Sequence, residues 1–457
     1  MTHNPLQHMK HKIKTVLTIL LVVLLGISRT SAQSGTGYSL QQLIEAARNS
    51  NLLLYIKESQ VQEKVSKLKE DKIKQYPSAT LDGNYQYNFN LPNITIPAGT
   101  IGTVATDNGA TQLMPAQDTR LKIGDKGSYN AGISFYQPII QQAKIHTGLE
   151  IDKTEIRLSQ QEKAKTTLQL TLSVEQLYYG TLIAQKQAEA ARARLQLARS
   201  RVYVAENAVQ AGKAIGLTLS GLQADMAGQE QNVLKLDIAV QDYLAELSRL
   251  TNIPVNQIRL LEPSSNPILN GDIDGYKVQA AGNPEIQISK LNVDKARLGI
   301  KMARQSNLPD FGLIAGYYHQ QGNPVLPSNS PYLGISLKWN LQDLFSNKQV
   351  EVQRKFQLKQ AEANLAYTQQ QVDTDLEKAW RKIQQSEALI KAAERVALFR
   401  KAALTAQENK QAAGLDIKTS LLEARQLLAE AEADLYAAQL SKATATSELH
   451  HLTGIQQ

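Results

Sequence analysis

From Leu170 to Val202 the apolar and small positions Leu170, Val174, Leu177, Thr181, Ala184, Ala188, Ala191, Leu195, Ala198 and Val202 step by four and three. That step is the seam of a coiled coil. It resumes after Ala211-Gly212-Lys213-Ala214-Ile215, with Leu222, Met226, Gln229, Val233, Leu236, Val240, Tyr243, Leu247 and Leu250. A glycine between two such runs predicts a bend, because a residue without Cβ enters the left-handed region freely. The pattern returns 202 residues later: Val372 to Leu404 carries the long seam, Ala413-Gly414-Leu415-Asp416-Ile417 the bend, and Ala424 to Leu452 the return. The copies end in LTNI (250–253) and LTGI (452–455). One helical hairpin is thus used twice, although heptads alone suit a solid four-helix bundle equally well.

Ahead of each hairpin the period changes to two. Leu81, Gly83, Tyr85, Tyr87, Phe89 and Leu91 alternate with Asp82, Asn84, Gln86, Asn88 and Asn90, and Tyr129, Ala131, Ile133 and Phe135 alternate with Ser128, Asn130, Gly132 and Ser134. In the second copy Phe311, Leu313, Ala315 and Tyr317, then Leu333, Ile335, Leu337 and Trp339, do the same. Each run predicts a strand with one apolar and one polar face. The helix before the first strand, Tyr38 to Gln75, ends ahead of Pro77, and Asn51 to Pro77 matches Asn283 to Pro309 at an offset of 232. Past the strands the offset is 202, so the thirty extra residues lie in the first inter-strand loop, Pro92 to Lys126, which is rich in Thr, Gly and Pro.

The organisation predicted is a leader over 1–32, a first repeat over 33–253, a linker over 254–275 and a second repeat over 276–457. The first repeat holds strands 79–91 and 128–137, a long helix 139–211 and a helix 217–252; the second holds strands 310–320 and 332–340, a long helix 341–413 and a helix 418–452. At 1.5 Å per residue each long helix would reach roughly 110 Å, about the summed length of the two shorter helices of its copy, which can stack end to end beside it. Four strands of outward-apolar, inward-polar alternation cannot close a barrel, and an open edge in lipid leaves backbone groups unsatisfied. Closure must then come from other copies of the chain. A small soluble sheet with one face on the core is the competing reading, and the density of tyrosines and the exported address count against it.

That address is read from Lys10, Lys12 and Lys14, the apolar run Val16 to Ile27, and Thr30-Ser31-Ala32 before Gln33, the three-part form of a secretory signal peptide cleaved after Ala32. The run is too short to span a bilayer. Removing the leader takes away Lys10, Lys12, Lys14 and Arg29 and no acid, so the formal charge falls from +8 to +4. The remaining cations alternate with Glu and Gln along the helices, as on solvated faces, which gives no support to nucleic-acid binding. Cysteine is absent, excluding disulfides, thiolate metal sites and lipidation behind the leader.

Helix-strand-loop-strand-long helix-turn-helix, duplicated at constant offset and closed by LTGI, resembles the TolC family of bacterial outer-membrane efflux proteins over the whole mature chain. The resemblance implies a homotrimer in the outer membrane of a Gram-negative bacterium. Its duplicated hairpins would form a hollow α-barrel extending into the periplasm, and its four strands per chain a shared 12-stranded β-barrel. The function implied is that of an exit channel, passively conducting cargo from a periplasmic adaptor and an inner-membrane pump. Tyr85, Tyr87, Phe89, Ile133, Phe135, Leu313, Tyr317, Ile335, Leu337 and Trp339 would face outer-membrane lipid. The turns at Gly212 and Gly414 would lie at the narrow inner end where the adaptor docks, with Asp416, Ser420, Glu423 and Thr218 as aperture candidates. Where the family's best-known member has two aspartates at the mouth this chain has Ser420 and Glu423, so one acidic ring is missing. Gln411 and Asp416 replace that member's tyrosine and arginine latch, which does not carry over.

No enzyme constellation is present: HExxH, GxSxG, a Walker loop and CxxC are all absent. No cofactor or metal site is predicted. Of the histidines left after processing, His146, His319, His450 and His451, the last two are adjacent on a helix and do not share a face; they read as solvated helix-end residues. A periplasmic coiled-coil adaptor or structural protein without a pore would explain the heptads but not the strands, and a secreted enzyme explains only the leader.

Overall fold

The computed structural model describes residues 37–106, 109, 111–213, 216–263, 271–323 and 327–454. The expected leader and Ile455 of the closing LTGI lie outside them. In chain order the main elements are α1 (Leu40–Ser50), α2 (Leu52–Ile73), β1 (Ser78–Tyr87), β2 (Asn93–Ile96), β3 (Gly102–Ala105), β4 (Thr111–Met114), β5 (Thr119–Lys122), β6 (Gly127–Pro138), α3 (Gln142–Gln210) and α4 (Gly216–Thr251). They continue with α5 (Ile273–Gln279), α6 (Pro284–Gln305), β7 (Asp310–Gln321), β8 (Asn329–Lys338), α7 (Leu341–Ala412) and α8 (Lys418–Thr453).

The single helix expected before the first strand is two helices. Asn51 takes an extended conformation between them and its side chain accepts from the Leu53 N–H at 2.9 Å, starting α2 afresh. Its counterpart at offset 232, Asn283, caps α6 in the same way, accepting from the Glu285 N–H at 2.8 Å ahead of Pro284.

The chain folds as two compact units. One holds residues through Ser50, Val174–Asn266 and Ala397–Tyr436. Its interior includes Leu43, Ile44 and Ala47 of α1, Leu247 and Leu250 of α4, and the α3 seam from Val174 to Val202. The other holds Asn51–Ser173, Pro267–Val396 and residues from Ala437 onward. Its core gathers Tyr276 of α5, Ile286 of α6, Val372, Leu376, Ala379 and Ile383 of α7, and Ala445 and Leu449 of α8. In this unit α6 meets the end of α8: the Asn283 Nδ2 donates to the Leu452 carbonyl at 2.9 Å, so a short helix starts where another stops. The stop is a left-handed residue, Gly454 at φ +73°, matched in the first repeat by Asn252 at φ +56°.

The second unit also carries the antiparallel sheet, in the order β1-β6-β7-β8. Its register puts odd-numbered residues on one face, in rows such as Leu81, Ile133 and Tyr317, or Phe135, Ala315 and Leu333. On the even face three glycines lie under cross-strand tyrosines. A Cβ would fall 2.2 Å from the Tyr318 ring at Gly132, 2.5 Å from the Tyr136 ring at Gly312 and 2.5 Å from the Tyr332 ring at Gly316. The first strand is shorter than expected and ends at Tyr87, so Phe89 and Leu91 lie beyond it; the Phe89 ring packs edge-on against Tyr87 at 5.4 Å.

The long loop between the first two strands of that sheet is folded. β2 pairs with β5 and β3 with β4, both antiparallel. The Asn88 N–H to the Lys126 carbonyl (2.7 Å) and the Ile123 N–H to the Pro92 carbonyl (2.9 Å) join these ladders to β1 and β6 as one ribbon. Short Thr-containing runs such as Asn93–Ile96 and Thr119–Lys122 alternate for only four residues each, too briefly to register against the surrounding glycine and proline.

Candidate functional site

Both hairpin tips end their long helix with the same backbone motif. Gly212 (φ +68°) donates to the Val209 carbonyl and Lys213 to the Ala208 carbonyl; Gly414 (φ +88°) donates to Gln411 and Leu415 to Lys410. These paired bonds form a Schellman cap, which requires a left-handed residue and so favours glycine. Both tips are open: a Cβ at either glycine would meet nothing within 4 Å. Asp416 lies in the second tip, exposed, with Thr218 and Ser420 exposed near the starts of α4 and α8.

Glu423, in contrast, is one rung of an ion-pair ladder that sequence reasoning misses. Arg192 and Arg199 of α3 reach Asp237 (2.5 Å) and Glu230 (2.9 Å) of α4. Arg194 and Arg201, on an adjacent stripe of α3, reach Glu430 and Glu423 (3.5 Å) of α8. Partners on both stripes are seven residues apart and run in opposite directions, as antiparallel heptads require. The pairs are exposed or, at Glu430, partly buried, and each is worth about 0–1 kcal/mol alone; together they fix the register of α4 and α8 against α3. The matched sevenfold spacing of arginines and acids is the sequence signal for it.

The odd face of the sheet is open. Tyr85, Tyr87, Ile133, Phe135, Leu313, Tyr317, Ile335 and Leu337 are all exposed on it, as are Phe89 and Trp339 just past strand ends. The Trp339 Nε1 donates to the Asn307 carbonyl at 3.2 Å, tying the end of β8 to the end of α6. Opposite this face stand Asp82, Asn84, Asn130, Ser134 and Gln320. No described helix is long and apolar enough to cross a membrane.

The histidines differ from expectation. His450 and His451 are half-buried, not solvated, and burial lowers both pKa values; Glu285 beside His451 opposes the shift without cancelling it. His146 lies 3.4 Å from Glu150, and the His319 Nδ1 lies 2.8 Å from the Asn329 side chain. No group of three or more potential metal ligands occurs among the described residues.

Duplicated helical hairpins and a four-stranded sheet whose edges, β1 and β8, are unpaired among the described residues are the fold of an outer-membrane channel subunit. Residues 91–252 and 276–455 match the outer membrane efflux protein family, and the chain belongs to it. It is 23% identical over 349 residues, covering 72% of this chain and 70% of the relative, to the alkaline protease secretion protein AprF of Pseudomonas aeruginosa. Its fold is similar to that of the outer membrane protein VceC of Vibrio cholerae, with TM-score 0.67, 15% identity and coverage of 91% of this chain and 96% of that one. It is likewise similar to the open state of the MtrE outer membrane channel of Neisseria gonorrhoeae, with TM-score 0.67, 15% identity and coverage of 91% and 88%. The protein is therefore an outer-membrane exit channel of a Gram-negative tripartite efflux or secretion system, acting with a periplasmic adaptor and an inner-membrane pump. The family is one of transport proteins, not of enzymes.

Proposed function

We propose that the hairpin tips at Gly212 and Gly414 form the inner mouth and the adaptor-docking surface, that the odd face of the sheet meets outer-membrane lipid, and that the mouth carries one standing acidic ring, from Asp416. The observation that carries the ring is a contrast between two carboxylates. Asp416 forms no ion pair among the described residues, while Glu423 is 3.5 Å from Arg201. In a threefold assembly the free carboxylate repeats around the axis, and a ring of carboxylates in a narrow pore favours cations. The charge of Glu423 is compensated within its own chain, and Ser420 and Thr218 supply none. Cation preference is then mild.

Reversal potentials in a salt gradient across planar bilayers test this reading. Asp416→Ala lowers cation selectivity, Glu423→Ala lowers it less, and Ser420→Asp raises both selectivity and block by multivalent cations. Unchanged potentials for Asp416→Ala and Ser420→Asp together would remove both residues from the mouth. A second reading, export of a polypeptide, is favoured by the likeness to a protease secretion protein. Loss of the chain would then leave a normally secreted protein inside the cell, and an unchanged culture supernatant would argue for small-molecule cargo.

A further inference from the structure

Three of the four helices that adjoin the sheet, α3, α6 and α7, line a cavity of about 510 Å³. One end lies at the sheet, because Ser306 is four residues ahead of β7 and Lys144 six residues past β6. The cavity follows α6 from Asn292 to Ser306 and α7 from Asn347 to Ala361, a length of about 20 Å at 1.5 Å per residue. Its floor is apolar, with Ile151, Met302 and Val350, and its charged lining is wholly basic: Lys144, Lys295 and Arg354, with no carboxylate among the lining residues.

Two of these cations are uncompensated. Lys144 forms no ion pair among the described residues, and the Arg354 Nη1 donates to a neutral group, the Gln357 Oε1, at 2.8 Å. Lys295 is the exception, 2.5 Å from Glu155, whose carboxyl it holds below the usual range. Gly299 shapes the floor: a Cβ there would lie 3.8 Å from the Arg354 Cδ, so the arginine stem runs along the glycine while its head stays at the rim. A free inorganic anion would leave the apolar floor unused, a cation would be repelled, and a neutral lipid would leave the rim charges unmatched.

We propose that this cavity binds an anionic amphiphile, with its phosphate, sulfate or carboxylate head against Lys144 and Arg354 and a single elongated apolar body along the floor. Its volume is of the size that holds one small-molecule ligand. The ligand is drawn either from the adjoining membrane leaflet or from soluble cargo. The site uses none of the residues assigned to the mouth, and its test reads binding and not conduction, so failure of one assignment leaves the other intact.

The test is equilibrium dialysis of dodecyl phosphate against the intact trimer held in an amphipathic polymer. Saturable binding is expected in the wild type, weakened ~10-fold or more in Lys144→Ala/Arg354→Ala through loss of charge-assisted contacts. Gly299→Leu, which fills the floor and leaves every charge in place, should weaken binding comparably. Circular dichroism and light scattering identify variants that remain folded trimers. No saturable binding by the wild type, equal binding by both folded variants, or equal binding of neutral dodecyl maltoside would each overturn the proposal. Repeating the measurement in nanodiscs assigns the source. Displacement by phosphatidylglycerol but not phosphatidylcholine supports a leaflet lipid, and undiminished binding in both supports soluble cargo.

Discussion

α3 and α7 occupy the same place in the two repeats and use their apolar surface in opposite ways. The α3 seam is buried at Leu170, Val174, Thr181, Ala184, Ala188, Ala191, Leu195, Ala198 and Val202. On α7 the seam is buried from Val372 through Leu376, Ala379 and Ile383 to Ser386 and only half-buried at Ile390, Ala393, Ala397 and Leu404, and beside it Leu389, Val396 and Phe399 are 61%, 49% and 70% exposed. The charges divide in the same way: the four arginines of the α3 ladder become Glu394, Val396, Lys401 and Ala403 at offset 202. Duplication has conserved a shape while separating two jobs. α3 organises its own chain, while α7 keeps large apolar side chains exposed beside its seam.

Polar substitutions should split these jobs. Leu195→Glu buries an unpaired charge in the α3 seam and should cost ~3–5 kcal/mol, seen as lost helical circular dichroism or a much lower melting temperature. Phe399→Glu should leave the protomer helical and weaken the trimer, measured by light scattering and by heat-modifiable migration of membrane extracts. A trimer indifferent to Phe399→Glu would break the contrast.

The repeat ends sharpen it at a smaller scale. Gly454→Ala forces a Cβ into the left-handed region 3.1 Å from the Gly282 carbonyl oxygen, whereas Asn252 holds the equivalent conformation with a side chain already in place. Gly454→Ala should destabilise by about 1 kcal/mol or more, and Asn252→Gly should be neutral or stabilising; denaturant midpoints in which Asn252→Gly is the worse of the two would contradict this account. Smaller still in stability is Arg201→Ala, at no more than about 1 kcal/mol. It uncovers Glu423, so cation selectivity in bilayers should rise; a fall would mean that Arg201 itself lines the pore. The smallest effect is expected outside the helices. Deleting Asn93 to Lys122 removes most of the ribbon and leaves every β1–β6 pair in place, so the melting temperature should shift by less than about 4 °C. Loss of assembly would make the ribbon part of the trimer contact.

How much of this is legible in the sequence depends on how far each feature reaches along the chain. The seams and bends are legible because a heptad repeats over dozens of residues and a left-handed cap selects glycine. The strand faces are legible for the same reason at period two. The ribbon is not, because four-residue runs carry too little period. The start of α6 is marked by Asn283-Pro284, whereas the equivalent Asn51-Leu52 lacks the proline, and the break there stays hidden. At the candidate mouth, counting from Gly414 places Glu423 on the returning helix, but its compensation by Arg201 depends on which helix lies alongside. That is a tertiary fact with only a shared spacing as its trace.

The tyrosine-glycine pairs of the sheet fit only one register. If β7 slipped by two residues against β6, the Tyr318 ring would leave Gly132 for Ser134 or Asn130, both of which carry a Cβ where the ring must lie. The same slip between β8 and β7 would carry the Tyr332 ring from Gly316 onto Ile314 or Tyr318. A two-residue shift preserves the apolar and polar faces, so alternation alone does not reject it. The fitted rings do. Each chain's four strands are thereby locked in one alignment, which leaves the edge strands β1 and β8 free to pair with other chains.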